Sequence, residues 1–139
     1  MSAAIVVGTD GSETATKAVS KAATFARQGG ATLHIVSAYG TKPEVVPEEL
    51  NRMETVGVQA ETILQQAVAA IYAAGLDVQT HARAGDPASV LIDVAVETSA
   101  DLIVVGNKGM TGMARFLLGS VPNKVAHHAP CDVLIVRTT

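Results

Sequence analysis

The chain opens with a short apolar run, Ala4 to Val7, that ends in Gly8-Thr9-Asp10-Gly11, after which Ala15, Ala18, Val19, Ala22 and Ala26 recur at helical spacing toward Gly29-Gly30. An apolar run bounded by turn residues predicts a strand, and a stripe every three or four residues predicts a helix, so the first unit is strand, turn, helix, stop. A second run, Thr32 to Ala38, leads into Tyr39 to Pro47, where Gly40, Pro43 and Pro47 break periodicity and predict a long, mobile loop. From Glu48 to Ala74 the chain is rich in Ala, Gln, Glu and Leu; Ala60, Leu64, Ala67, Val68 and Ile71 supply an inward stripe, and Gly75 closes the longest helix.

Asp77 to Ala82 sets Asp77, Gln79 and His81 against Val78, Thr80 and Ala82, the alternation of a strand with one wetter face, near a sheet edge. Asp86-Pro87 places a capping side chain before a proline in the first helical turn, and Val90, Leu91, Val94 and Ala95 continue a third helix. Leu102 to Val105 and Val133 to Val136 are continuous apolar runs, expected of strands covered on both faces, and Ser120 to Ala129 lies between them as a fourth helix. Four strand-helix units closed by a fifth strand imply a mainly parallel sheet with right-handed crossovers and helices on both faces. In such sheets ligands collect beyond the carboxyl ends of the strands, where the winding reverses, so the loops after the first and fourth strands are the ones to inspect.

Composition narrows this picture. A chain of 139 residues, 48% hydrophobic and without a long polar linker, is expected to form one domain, residues 1–139, around one core. Aromatic residues are only 3% and Trp is absent, so that core must be built from Val, Ile, Leu, Ala and a few Met. A net charge of -3 gives no basic field for phosphate polymers or anionic lipid, so neither nucleic acid nor membrane is an expected partner. Cys131 is the single cysteine, which excludes an internal disulfide and a cysteine-rich zinc cluster and fits a reducing cytoplasm. The start of the chain runs straight from Met1 into Ala3 to Val7, with no basic segment and too few apolar residues for a signal peptide or a membrane span.

The most informative stretch follows the fourth strand: Gly106-Asn107-Lys108-Gly109-Met110-Thr111-Gly112-Met113-Ala114-Arg115-Phe116-Leu117-Leu118-Gly119-Ser120. It is not a Walker A loop. Glycines let backbone N–H groups approach an anion, and a helix starting near Ser120 offers unpaired N–H groups and the positive end of its dipole, so a phosphate would be stabilised at Gly109, Gly119, Ser120 and Val121. The competing reading makes Ser120 only the N-cap of its helix and the glycines only turn residues.

The spacing Gly106-x2-Gly109-x9-Gly119-Ser120 resembles the ATP-binding motif of universal stress proteins. Ile5-Val6-Val7-Gly8-Thr9-Asp10-Gly11-Ser12 resembles that family's first strand and turn, the stretch from Gly109 through Phe116-Leu117-Leu118-Gly119-Ser120-Val121 its most recognisable part, and His128 to Val136 its closing segment. The resemblance implies an α/β fold, a doubly wound five-stranded parallel sheet in the order 3-2-1-4-5. It also implies an adenine-nucleotide site at Gly8, Thr9, Asp10, Ala38, Gly106, Gly109, Gly119, Ser120 and Val121. In it Asp10 would contact the ribose hydroxyls or an ion at the phosphates, and Ala38 would hold the adenine edge through backbone groups. The alternative for Asp10 is a turn-forming carboxylate.

The implied ligand is ATP, with magnesium or manganese only alongside a polyphosphate, because no cluster of carboxylates or histidines makes a dedicated metal site. Val105-Gly106-Asn107 and the closing Arg137-Thr138-Thr139 also look like actinobacterial members of the family, which brings in cyclic AMP as the alternative ligand. The implied role is a dimeric, nucleotide-dependent stress-response regulator read by a downstream protein. An enzyme reading, slow ATP hydrolysis or autophosphorylation, has Asp10 as its only obvious candidate, and Gly8-Thr9-Asp10-Gly11-Ser12 departs from the Ser-Gly-Gly-x-Asp-Ser loop of adenylate-forming folds. No catalytic residue is assigned.

The last strand, Val133, Leu134, Ile135 and Val136, has no interior charge or proline to blunt an exposed edge, which points to pairing with a second copy; burial by its own domain fits the apolar run equally well. Lys108 and Arg115 are read as solvated loop cations. His127 and His128, adjacent on a helix and so about 100° apart, cannot easily share a ligand and are read as complements to the helix dipole. Cys131 is read as a small buried thiol. His34 and His81 receive no role.

Overall fold

The computed structural model describes residues 3–40, 47–71, 75–107 and 118–138, and only the backbone of residues 47–56. In chain order the elements are β1 (Ala4–Gly8), α1 (Glu13–Gly29), β2 (Thr32–Tyr39), α2 (Pro47–Ala70), β3 (Val78–Ala84), α3 (Pro87–Thr98), β4 (Leu102–Gly106), α4 (Ser120–His128) and β5 (Asp132–Val136). The strands form one sheet, β3-β2-β1-β4-β5, with every neighbouring pair parallel, as expected from the alternation of strands and helices. The expected loop between β2 and α2 falls largely on residues 41–46, outside the described residues. All four methionines also lie outside the described side chains.

Two helices, α1 and α3, start at side-chain caps. Ser12 caps α1, its hydroxyl accepting the Ala15 N–H at 3.2 Å, and Gly30 ends the helix in the left-handed region at φ 66°. Asp86 caps α3 by accepting the Ser89 N–H at 3.1 Å, with Pro87 in the first turn, where its missing N–H costs nothing. The same carboxylate accepts the Lys124 ammonium at 2.9 Å, which joins α3 to α4 and holds Asp86 below the usual carboxylate range.

Two apolar layers cover the sheet. On one face Ile5, Val7, Leu33, Ile35 and Val104 meet the alanine stripe of α1 together with Leu64 and Ile71. On the other, Val6, Val36, Ile103 and Val105 meet Ala88, Leu91 and Val94 of α3 and Val125 of α4. Small helix side chains bring α1 close to the sheet, which answers the shortage of aromatic residues. The long apolar run of β5 differs from the expected coverage on both faces: β5 is an edge strand, none of its residues is fully buried, and Ile135 is 37% exposed. Its apolar character reflects partial cover on both faces, Leu134 and Val136 against one layer and Val133 against the other, beside a half-open edge.

The other edge is β3, as its alternating pattern predicts, and its attachment is polar. Thr32 Oγ1 donates to Asp77 Oδ2 at 2.9 Å, Arg83 pairs with Glu97 of α3, and His34 Nδ1 lies 2.9 Å from His81 Nε2. His34, assigned no role from sequence, is 5% exposed. One ring must donate and the other accept, so the bond exists only while at least one ring is neutral. Desolvation lowers both pKa values. At His34 the Asp77 carboxylate opposes it; at His81 the charges of His34 and Arg83 reinforce it and Glu97 opposes it.

Two outcomes follow for stability. With both histidines held below the ordinary value of 6.5, the unfolded chain binds more protons as pH falls through that value. Stability is therefore present above it and lost below it; urea midpoints measured from about pH 7.5 to 5 should fall, and His81→Gln should flatten that fall. At Gly11, φ is +83° and a Cβ would stand 3.1 Å from Ile63 Cγ1, so Gly11→Ala should cost about 1–2 kcal/mol in urea unfolding.

Candidate functional site

The chain winds from β1 outward to β3, then returns to place β4 on the other side of β1. Between the carboxyl ends of β1 and β4 lies a cleft enclosing about 630 Å³, part of it open to solvent. Its position is the one expected of ligands in this sheet class. Gly8, Thr9 and Asp10 enter it from β1, Ala38 from β2, Gly106 from β4 and Val121 from α4. Six of the nine residues singled out from sequence thus share one cavity. Gly119 and Ser120 stand at the start of α4 beside it, and Gly109 lies outside the described residues, as do Lys108 and Arg115.

The turn after β1 is built from its own side chains. Thr9 Oγ1 accepts the Gly11 N–H at 3.1 Å, and Asp10 Oδ1 accepts the Ser12 N–H at 2.9 Å. The turn-forming reading of Asp10 therefore holds, and it accounts for one carboxylate oxygen of a residue that also lines the cleft. Gly8 lies tight against α3: a Cβ there would sit 3.2 Å from both methyl carbons of Leu91, which would have to shift.

Ala38 has a specific geometry. Thr32 N–H bonds Ala3 C=O and Thr9 N–H bonds Val36 C=O, so the even-numbered residues of β2 turn their backbone groups toward β1. Leu33 and Tyr39, by contrast, bond toward β3, to Asp77 and Gly85. β1 ends at Gly8, opposite Val36, so Ala38 presents its N–H and C=O past that end with no backbone partner among the described residues. A ligand edge carrying one acceptor and one donor would complete the ladder there.

At α4, Gly119 takes an extended conformation at the cap with no side-chain bond. The Gly119 N–H is donated to Asn107 C=O at 3.0 Å, a bond that closes the base of the loop. The first N–H groups of a helix have no intrahelical acceptor, and Pro122 has no N–H at all, so Ser120 and Val121 carry the donors of this terminus. The reading of Ser120 as N-cap is corrected, since Gly119 occupies that position.

Sequence reasoning missed the apolar wall: Val36, Leu91, Val105, Pro87 and Pro122 line the cleft with Ala15 and Ala18. All read as ordinary core or helix-start positions, and only the third dimension gathers them. The other candidates stay outside. His127 and His128 are exposed in the last turn of α4, with His127 Nδ1 2.8 Å from Asn123 C=O. Cys131 is half-buried rather than buried, and desolvation together with Asp132 and Asp101 pushes its thiol pKa up. Among the described residues no group of three or more His, Cys, Asp or Glu gathers to hold a metal ion. No described helix is long and apolar enough to cross a membrane.

Comparison with known proteins gives the family. The family model described as the universal stress protein family matches residues 1–137. A universal stress protein of Mycobacterium tuberculosis is 38% identical over 141 residues, covering 97% of this chain and 96% of its own. Among solved structures, a universal stress protein in complex with cAMP is 38% identical with a TM-score of 0.76, covering 99% of this chain and 98% of its own. The UspA protein of Lactobacillus plantarum is 25% identical with a TM-score of 0.84, covering 97% of each chain. Motif, topology and near-complete coverage agree: the chain belongs to the universal stress protein family.

Proposed function

We propose that this chain binds an adenine nucleotide in the cleft between β1 and β4 and acts as a nucleotide-dependent regulator. The observation that carries the reading is the meeting, in one cavity, of unpaired strand groups at Ala38 and the open amino end of α4. The base lies against the apolar wall of Val36, Leu91 and Val105, with its edge on the Ala38 backbone. Asp10 offers its remaining carboxylate oxygen to the ribose hydroxyls. Phosphate is held by the Ser120 and Val121 N–H groups and the helix dipole, with Gly8, Gly106, Gly109 and Gly119 leaving room for it and Thr9 holding the turn after β1.

ATP is the preferred ligand on the full glycine motif, with magnesium or manganese accompanying its phosphates. Cyclic AMP is the second reading, favoured by the solved relative in complex with cAMP at 38% identity. A single half-buried cysteine fits a cytoplasmic setting. The half-open edge of β5, with Val133, Leu134, Ile135 and Val136, suits pairing with a second copy, because an unblunted edge strand is a template for another chain.

The test is calorimetric titration with ATP, AMP, cyclic AMP and adenosine, with and without magnesium. Ser120→Pro removes one phosphate-facing N–H at a helix position that tolerates proline, so it should weaken ATP binding about 10-fold or more while leaving adenosine unchanged. Preference for cyclic AMP would redirect the function to second-messenger buffering, and no binding of any of the four would remove the nucleotide reading. For assembly, Ile135→Lys should shift sedimentation toward the monomer; an unchanged profile contradicts pairing through β5.

A further inference from the structure

Thr138 lies beyond the last residue of β5, outside every regular element, yet it is only 2% exposed. All its polar groups are engaged. Its N–H and its hydroxyl both donate to Asn107 Oδ1 at 2.9 Å, and its carbonyl accepts the Lys17 ammonium of α1 at 3.0 Å. Burying three polar groups is tolerated only where each finds a partner, so this segment is fixed by directed bonds rather than by apolar area.

Asn107 is the common member. Its own N–H donates to Val136 C=O at 2.8 Å, extending the β4–β5 ladder, and its C=O accepts the Gly119 N–H at 3.0 Å. Gly119 C=O in turn accepts the Asn123 N–H at 3.1 Å, the first backbone bond of α4. One residue therefore joins the end of β4, the start of α4 and the segment leaving the edge strand. It does not line the cleft, although its neighbour Gly106 does.

We propose that Asn107 and Thr138 form a positioning clamp, in which the segment after β5 sets the closure of Asn107 on Gly119 and thereby aims the Ser120 and Val121 N–H groups at a bound phosphate. The inference deepens the nucleotide reading above and rests on it for its ligand. The side-chain amide oxygen of Asn107 takes both Thr138 bonds and its N–H is donated to Val136, so the Cα that carries the Asn107 carbonyl is tied on two sides. That Asn107 carbonyl is the acceptor that fixes Gly119. The clamp acts on the phosphate end of the site alone, since the base wall and Ala38 belong to β2, α3 and β4.

The experiment compares Thr138→Val, which removes one donor at nearly constant shape, Asn107→Ala, which removes the acceptor of both bonds, and Thr138→Ser, which keeps both donors. Amide hydrogen exchange is read by NMR in the ligand-free proteins, and ATP and adenosine are titrated into each. Thr138→Val and Asn107→Ala should speed exchange at Gly119 while leaving the Val6 and Ile35 amides unchanged; ATP should bind about 2- to 10-fold more weakly and adenosine as before. Thr138→Ser should restore both readouts. Unchanged Gly119 exchange in both weakened variants overturns the clamp, and so does an equal loss of ATP and adenosine, which would mean general destabilisation. Should the unsubstituted protein bind no ATP, the nucleotide reading falls, and the Gly119 exchange rates alone decide the clamp.

Discussion

A parallel sheet forces all its strands to end on the same edge, and the cleft of this protein depends on that constraint. Each parallel neighbour must be reached by a crossover, so the helices stack on both faces and the strand ends stay free of hairpin turns. When the winding reverses between β1 and β4, the connections that leave these two neighbours diverge, and the space between them cannot be filled by either. The cleft is thus set by topology before any side chain is specified. The side chains then determine its depth: Ala18 is both a buried contact of α1 with the sheet and part of the cleft lining, so a small residue serves the core and the site at once.

The strand-helix order was legible because each element carries a local signal: the alanine stripe of α1, the Asp86-Pro87 start of α3, Gly30 after α1. The turn of β1 and the approach to α4 were legible for the same reason, since glycine, serine and aspartate act on backbone within a few residues. The apolar wall was not, because Val36, Leu91 and Val105 obey the same period as any core residue and differ only in what lies opposite them. The β5 run was ambiguous in the same way. Apolar continuity reports that a strand meets apolar neighbours, and it does not report whether one edge lacks a strand.

Gly119 shows a subtler limit. Its presence in the motif was read as a donor to phosphate, and its N–H is bonded to Asn107 C=O. A glycine in a phosphate loop can serve by giving its amide, by staying small, or by taking a conformation, and spacing cannot separate these roles. Its φ of -62° argues against the last, since any residue adopts that value, and its N–H is engaged by Asn107. Gly119 thereby closes the loop base just before the open amides of Ser120 and Val121.

The centre and the margins of the sheet are specified by different physics. β1 is buried over Ala4 to Val7 between two apolar layers, so its place at the centre of the sheet is held by packing on both faces. At β3 and β5 most residues are half-covered or exposed. It is at these margins that directed bonds appear. Of the three buried polar residues among the described residues, His34 reaches His81 on β3, and Thr138, just past β5, reaches Asn107. No buried side-chain nitrogen or oxygen among the described residues lacks a partner, so these bonds are made in full. Directed bonds fail as a unit when a partner is protonated or removed, whereas apolar contact weakens by degrees. The margins are therefore where a change of conditions alters this fold first, and the margin at β5 is the one joined through Asn107 to the mouth of the cleft.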